Sequence, residues 1–181
     1  AEFCTILFTG HRGCGKSTEL RKIQKQLESE YYIVYLEADI ELDINDAEYT
    51  DLYLLIIKKV ADELYKLGAE FDKKLLDSFE SWFKEITEET ERSVELGISA
   101  EVNAEAGFRI PFISKLLAKL LAQIKGSQKQ KQVIRQTLQK DISRLQADIN
   151  LLLGDAHNKL KQKQPQYEKG FLIILDNLDR I

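Results

Sequence analysis

The chain has 181 residues, 44% of them hydrophobic, and a net charge of −4. That length can bury the core of one domain but not of two full ones, and no apolar run approaches the roughly 18 residues that span a bilayer. With no charged-then-apolar leader and only two cysteines, Cys4 and Cys14, too few and too badly placed for a disulfide framework, a cytoplasmic protein with free thiols is expected.

Phe3–Thr9, FCTILFT, is a short apolar, β-rich run that leads into a glycine and predicts a buried strand. The loop GHRGCGKST, Gly10–Thr18, follows, and a helix from Lys16 to Glu28 carries Leu20, Ile23 and Leu27 on one face. Tyr31–Ala38, YYIVYLEA, predicts a second strand whose continuous apolar character suits a parallel sheet covered on both faces. Asn45 and Glu48 stand at capping-box spacing ahead of a helix through Leu67, with Leu52, Ile56, Val60 and Leu64 at a period of four. A third helix carries Phe71, Leu75, Phe79, Phe83 and Ile86.

Over 97–112 the apolar period changes to two, through Ile98, Val102, Phe108, Ile110 and Phe112. This argues for a strand or hairpin, although the Ala and Glu content also suits a helix. Ile113–Lys125 returns to helical spacing, with Ile113, Leu116, Leu117, Leu120, Leu121 and Ile124 on one face and lysines off it. One long polar helix is predicted next, with Ile134, Leu138, Ile142, Leu145, Ile149 and Leu152 close to a heptad seam, until Pro165 stops it. Phe171–Asp176, FLIILD, is the third predicted buried strand, and NLDRI follows.

Residues 1–90 are therefore read as the first part of a core, 91–164 as a basic, mainly helical insertion, and 165–181 as the return to that core. Charge divides the chain too: residues 1–110 hold 13 Lys and Arg against 24 Asp and Glu, whereas 111–170 hold 12 against 4. The chain opens at Ala1 and contains no methionine, which reads as a segment of something longer.

The chemistry lies at the two ends. Gly10–Ser17 fits G-x-x-x-x-G-K-[ST] in full. Glycines let backbone N–H groups curl around phosphate oxygens without a Cβ clash, and the helix that follows adds the positive end of its dipole. In that pattern Lys16 neutralises the β- and γ-phosphates and the Ser17 hydroxyl ligates Mg²⁺. FLIILD has the form of a Walker B strand, whose closing acid, here Asp176, accepts a hydrogen bond from a metal-bound water.

Together, FTGHRGCGKSTELRKI and LIILDNLDRI resemble the nucleotide-binding module of bacterial P-loop ATPases of the additional-strand division, the AAA+ and STAND group. DNLDR is similar to the D-x-L-D-R signature of STAND and KAP-type NTPases. The resemblance implies an α/β fold, the three-layer parallel sheet of P-loop NTPases, here truncated after the Walker B strand and carrying the helical insertion. It also implies ATP with Mg²⁺, binding or hydrolysis used as a switch within a larger signalling protein, and self-association in which a neighbour supplies an arginine. By this likeness Gly10, His11, Arg12, Gly13, Cys14, Gly15, Lys16, Ser17 and Thr18 form the nucleotide loop, Lys16 is the phosphate lysine, Ser17 and Asp176 serve the metal, and Arg180 matches the signature arginine.

One position departs from the pattern. Many relatives place a second acid directly after the metal aspartate, where it polarises the attacking water, and here that position is Asn177. An amide cannot accept a proton as a carboxylate can. Either Asp179 acts as the base or hydrolysis is slow and ATP binding is itself the signal.

No N-K-x-D, D-x-x-G or LSGGQ motif is present, which argues against GTPase and ABC-type readings. A small-molecule kinase and a nucleotide-independent scaffold remain as alternatives. The basic arm 111–164 suits nucleic acid, and its leucine–lysine helix suits a membrane surface, but a solvated helical hairpin packed on its own seam has the same pattern.

Overall fold

The computed structural model describes residues 4–11, 13–43, 45–93 and 112–178, with side-chain surroundings left aside at 88–93 and 112. The chain forms two compact units, one from 1–47 with 160–181 and the other from 48–159.

In the first unit, α1 (Lys16–Leu27) leads to β1 (Tyr32–Glu37) and the single helical turn α2 (Ala38–Glu41). The last strand, β2 (Phe171–Asp176), pairs with β1 in parallel, in a register that sets Tyr32 opposite Phe171 and Glu37 opposite Asp176. Side chains alternate along a strand, so Tyr35, Glu37, Ile174 and Asp176 share one face and Val34 and Leu36 lie on the other. At the start of the pair, Tyr32 meets Phe171 and Tyr167 edge-on, each with ring centroids 5.4 Å apart.

The strand expected at Phe3–Thr9 is corrected. Residues 4–9 join no sheet, and Ile6 and Leu7 are 84% and 82% exposed. β-propensity describes how a side chain suits a paired, half-covered surface, and among the described residues the sheet consists of β1 and β2 alone, with this run unpaired.

The second unit is helical: α3 (Tyr49–Lys66), α4 (Lys73–Ser93), α5 (Phe112–Gly126), α6 (Gln128–Lys140) and the first part of α7 (Ile142–Lys163). Its core joins Leu54, Leu55, Ile57, Val60 and Leu64 of α3 to Phe79, Phe83 and Ile86 of α4 and to Leu117 and Leu120 of α5. Every residue assigned to the apolar face of 113–125 is buried, and α5 packs on α3, α4 and α6, so protein covers the face that an interfacial helix would give to lipid. The compact units divide at 47/48 and 159/160, and α3 and α4 pack with the basic helices.

Two local expectations shift. The α3 start is capped three residues later than Asn45 predicts: Asp51 Oδ2 accepts the Glu48 N–H at 3.1 Å. The long polar helix is two helices, broken at Asp141, whose φ of −119° and ψ of 37° leave the helical region. Asp is a weak helix former that competes for backbone donors, which makes it a natural place to interrupt the run. Ile134, Leu138, Leu145, Ile149 and Leu152 are nevertheless all buried, so the seam survives the break. The alternating segment 97–111 lies outside the described residues.

Across this unit a buried arginine ties α6 to the start of α3. Arg135 donates to both carboxylate oxygens of Asp51 and, at 3.4 Å, to Glu48 Oε1. Gln139 Nε2 donates to Glu48 Oε2 at 2.5 Å.

Candidate functional site

The loop before α1 uses its glycines for two different reasons. Gly13 and Gly15 have φ of 82° and 90°, the left-handed region where a Cβ is strained. Gly10 is constrained by contact instead: a Cβ there would meet Cys14 Sγ at 2.7 Å. The loop is closed by the Cys14 N–H donating to His11 O at 3.2 Å, and Gly15 O accepts the Glu19 N–H at 3.0 Å to start the helix. Lys16 Nζ reaches back over the loop, donating to Gly10 O at 2.8 Å and His11 O at 3.0 Å. Thr18 is exposed on the first turn of α1, and Arg12 lies outside the described residues.

Ser17 and Asp176, 159 residues apart, are brought together: Ser17 Oγ donates to Asp176 Oδ1 at 3.1 Å. The same oxygen accepts the Asn177 N–H at 2.8 Å. Oδ2, the other carboxylate oxygen, accepts the Tyr35 hydroxyl at 2.6 Å. Burial pushes the Asp176 carboxyl up, but the bonds from Tyr35, Ser17 and the Asn177 N–H, together with the Arg21 charge, outweigh it and hold the group below the usual carboxylate range. Tyr35 moves the opposite way, pushed up to about 12 by burial first and then by its bond to, and the charge of, Asp176.

Two features of this cluster escaped the sequence reading. Arg21, one helical turn after Ser17, stacks 3.6 Å from the Tyr35 ring centroid and pairs with Glu37 at 2.7 Å. Its i, i+4 spacing from Ser17 was the available signal, since both residues must leave α1 on one face. Tyr35 was hidden inside an aromatic-rich strand, and only the register with β2 reveals that its hydroxyl points along the sheet to Asp176. Asn177 has φ of 63° and donates its side-chain amide to Asp39 Oδ1 at 2.8 Å. Asp179 and Arg180 lie outside the described residues.

A glycine loop with two left-handed residues, a following helix, and an acid at the end of a parallel strand beside that helix are parts of a P-loop NTPase. The whole chain, residues 1–181, matches the model of the KAP family P-loop domain. The chain belongs to that family, and its fold is the α/β P-loop NTPase type, a central parallel sheet with helical insertions. No curated protein and no solved structure matches it. Among the described residues, no helix is long and apolar enough to cross a membrane.

Proposed function

We propose that this chain is an Mg²⁺-dependent ATP-binding module that hydrolyses ATP slowly and serves as a switch within a larger signalling protein. The observation that carries this reading is the Ser17–Asp176 contact at 3.1 Å, which joins the hydroxyl beside the phosphate lysine to the acid closing β2. A hydroxyl and a carboxylate are the hard oxygen donors Mg²⁺ takes, and in nucleotide sites one or two protein ligands suffice because phosphates and waters complete the shell. That fits a chain in which, among the described residues, no cluster of three His, Cys, Asp or Glu could hold a metal by itself. When bound, Mg²⁺ would be held by Ser17 and Asp176 and would neutralise phosphate charge.

Each residue then has a task. Gly13 and Gly15 shape the loop so that its N–H groups face the phosphates, and Lys16 exchanges the Gly10 and His11 carbonyls for phosphate oxygens. Ser17 and Asp176, which are bonded to each other here, would hold the metal. ATP is favoured over GTP because the sequence lacks the N-K-x-D motif that reads guanine. Slow turnover follows from Asn177, whose amide is neutral and committed to Asp39, unless Asp179 supplies the base. Assembly of copies through this module belongs to the same proposal, and sedimentation with and without Mg·ATP reads it.

Calorimetry with Mg·ATP, Mg·GTP and the Lys16→Ala variant tests the reading. Wild-type binding of ATP over GTP, with at least about a tenfold loss in the variant, is expected, because a charge-assisted phosphate contact is removed. Equal binding by the variant would overturn it.

A further inference from the structure

We infer that Tyr35 is the positioning residue of Asp176, holding its carboxylate with Oδ1 toward the phosphate loop, and that Arg21 holds Tyr35 in turn. The inference rests on the reading of Asp176 as a metal-serving acid.

A carboxylate offers about four acceptor sites on two oxygens, so an acid that must present one oxygen to a metal shell has to be stopped from rotating. Here the two oxygens are sorted. Oδ1 faces Ser17 Oγ and the Asn177 N–H, while Oδ2 is occupied by the Tyr35 hydroxyl at 2.6 Å. Strand geometry explains why a tyrosine can do this. Glu37 is the register partner of Asp176, and Tyr35 sits two residues earlier on the same face, about 6.6 Å back along the strand. A phenol spans that gap; a serine or threonine at 35 could not.

The ring is itself fixed from α1. The Arg21 guanidinium lies 3.6 Å from the ring centroid, and its ion pair with Glu37 at 2.7 Å anchors it to the same strand. No residue of α1 is fully buried; beside its half-buried face of Leu20, Ile23 and Leu27, the contacts Ser17–Asp176 and Arg21–Tyr35–Glu37 join the helix that carries the phosphate loop to the sheet. These contacts differ in what they do once a nucleotide arrives. Ser17 would exchange Asp176 for the metal, whereas the bonds from the Tyr35 hydroxyl to Oδ2 and from the Asn177 N–H to Oδ1 compete for no ligand. Of Ser17 and Tyr35, the two side chains described on Asp176, Tyr35 is therefore the one that would keep hold of it in the loaded state.

Calorimetry of the whole chain, comparing wild type with Tyr35→Phe, each titrated with ATP in Mg²⁺ and again in EDTA, tests this. Phe keeps the ring and its stacking with Arg21 and deletes only the hydroxyl. The expected result is that the gain in ATP affinity brought by Mg²⁺ falls about tenfold, while affinity in EDTA changes less than twofold. Arg21→Gln is expected to lower the Mg²⁺ gain in the same direction by a smaller factor. A Mg²⁺ gain unchanged in Tyr35→Phe overturns the positioning role. So does an equal fall in both buffers, which a general loosening of the site produces. If wild type binds no ATP in either buffer, the ATP-binding reading itself fails; if wild type binds and the variant matches it, only the role of Tyr35 fails.

Discussion

Asn177 Nδ2 donates to Asp39 Oδ1 at 2.8 Å, from a backbone whose φ is 63°. The residue that stands where related ATPases keep a second acid is thus the donor half of a bond between the ends of the two paired strands. Asn and Asp tolerate this left-handed backbone better than other residues with a Cβ, so the conformation permits either one. The partner does not. Asp at 177 would set two carboxylates where a donor and an acceptor now meet.

Asn177→Asp is therefore expected to restore a water-polarising group and to strain its surroundings together. Like charges in contact raise the pKa of one partner, so the folded state takes up a proton more readily than the unfolded chain. The penalty is full above the raised folded value and disappears as pH falls below the unfolded carboxylate value. The variant should melt below wild type at pH 8, by about 1–3 kcal/mol of stability, and approach it near pH 4. Its turnover gain should stay under about tenfold, below what a well-placed general base contributes, with ATP affinity within twofold. Thermal melts at the two pH values and steady-state ATPase assays check these outcomes.

Gly10 and Cys14 should behave as a coupled pair. A Cβ at 10 lies 2.7 Å from Cys14 Sγ, well inside contact distance, so Gly10→Ala must displace the thiol that stands beside Lys16. About a tenfold loss of ATP affinity is expected for Gly10→Ala, little for Cys14→Ala, and a partial recovery in the double variant. Additive effects across the cycle would show that the glycine is required for some reason other than the thiol.

Removing Arg135 should cost more than removing any exposed ion-pair partner. Its side chain is 7% exposed and that of Asp51 2%, so Arg135→Met strands a buried carboxylate. About 3–5 kcal/mol of destabilisation in urea is expected, against under about 1 kcal/mol for Lys58→Ala, whose pair with Asp62 is partly solvated. Arg135→Met combined with Asp51→Asn should recover a large part of the loss, because the amide oxygen can still accept the Glu48 N–H and no charge remains buried.

What the sequence determined by itself was whatever depends on near neighbours along the chain. The loop Gly10–Thr18 needs particular residues at particular spacings, and the left-handed backbone at Gly13 and Gly15 agrees with that need. Helical periodicity picked the buried face of 113–124 correctly, since residues three and four apart share a face in any helix. The same local logic overreached at residues 4–9, because strand composition without a paired partner makes no strand, and at Asp141, where a continuing heptad concealed a break. Only the tertiary structure decided the partners of Asp176 and Asn177. Ser17, Tyr35 and Asp39 reach them from 159, 141 and 138 residues away. Those meetings follow from the parallel register of β1 on β2, and a one-residue slip in that register would turn Asp176 to the opposite face from Tyr35.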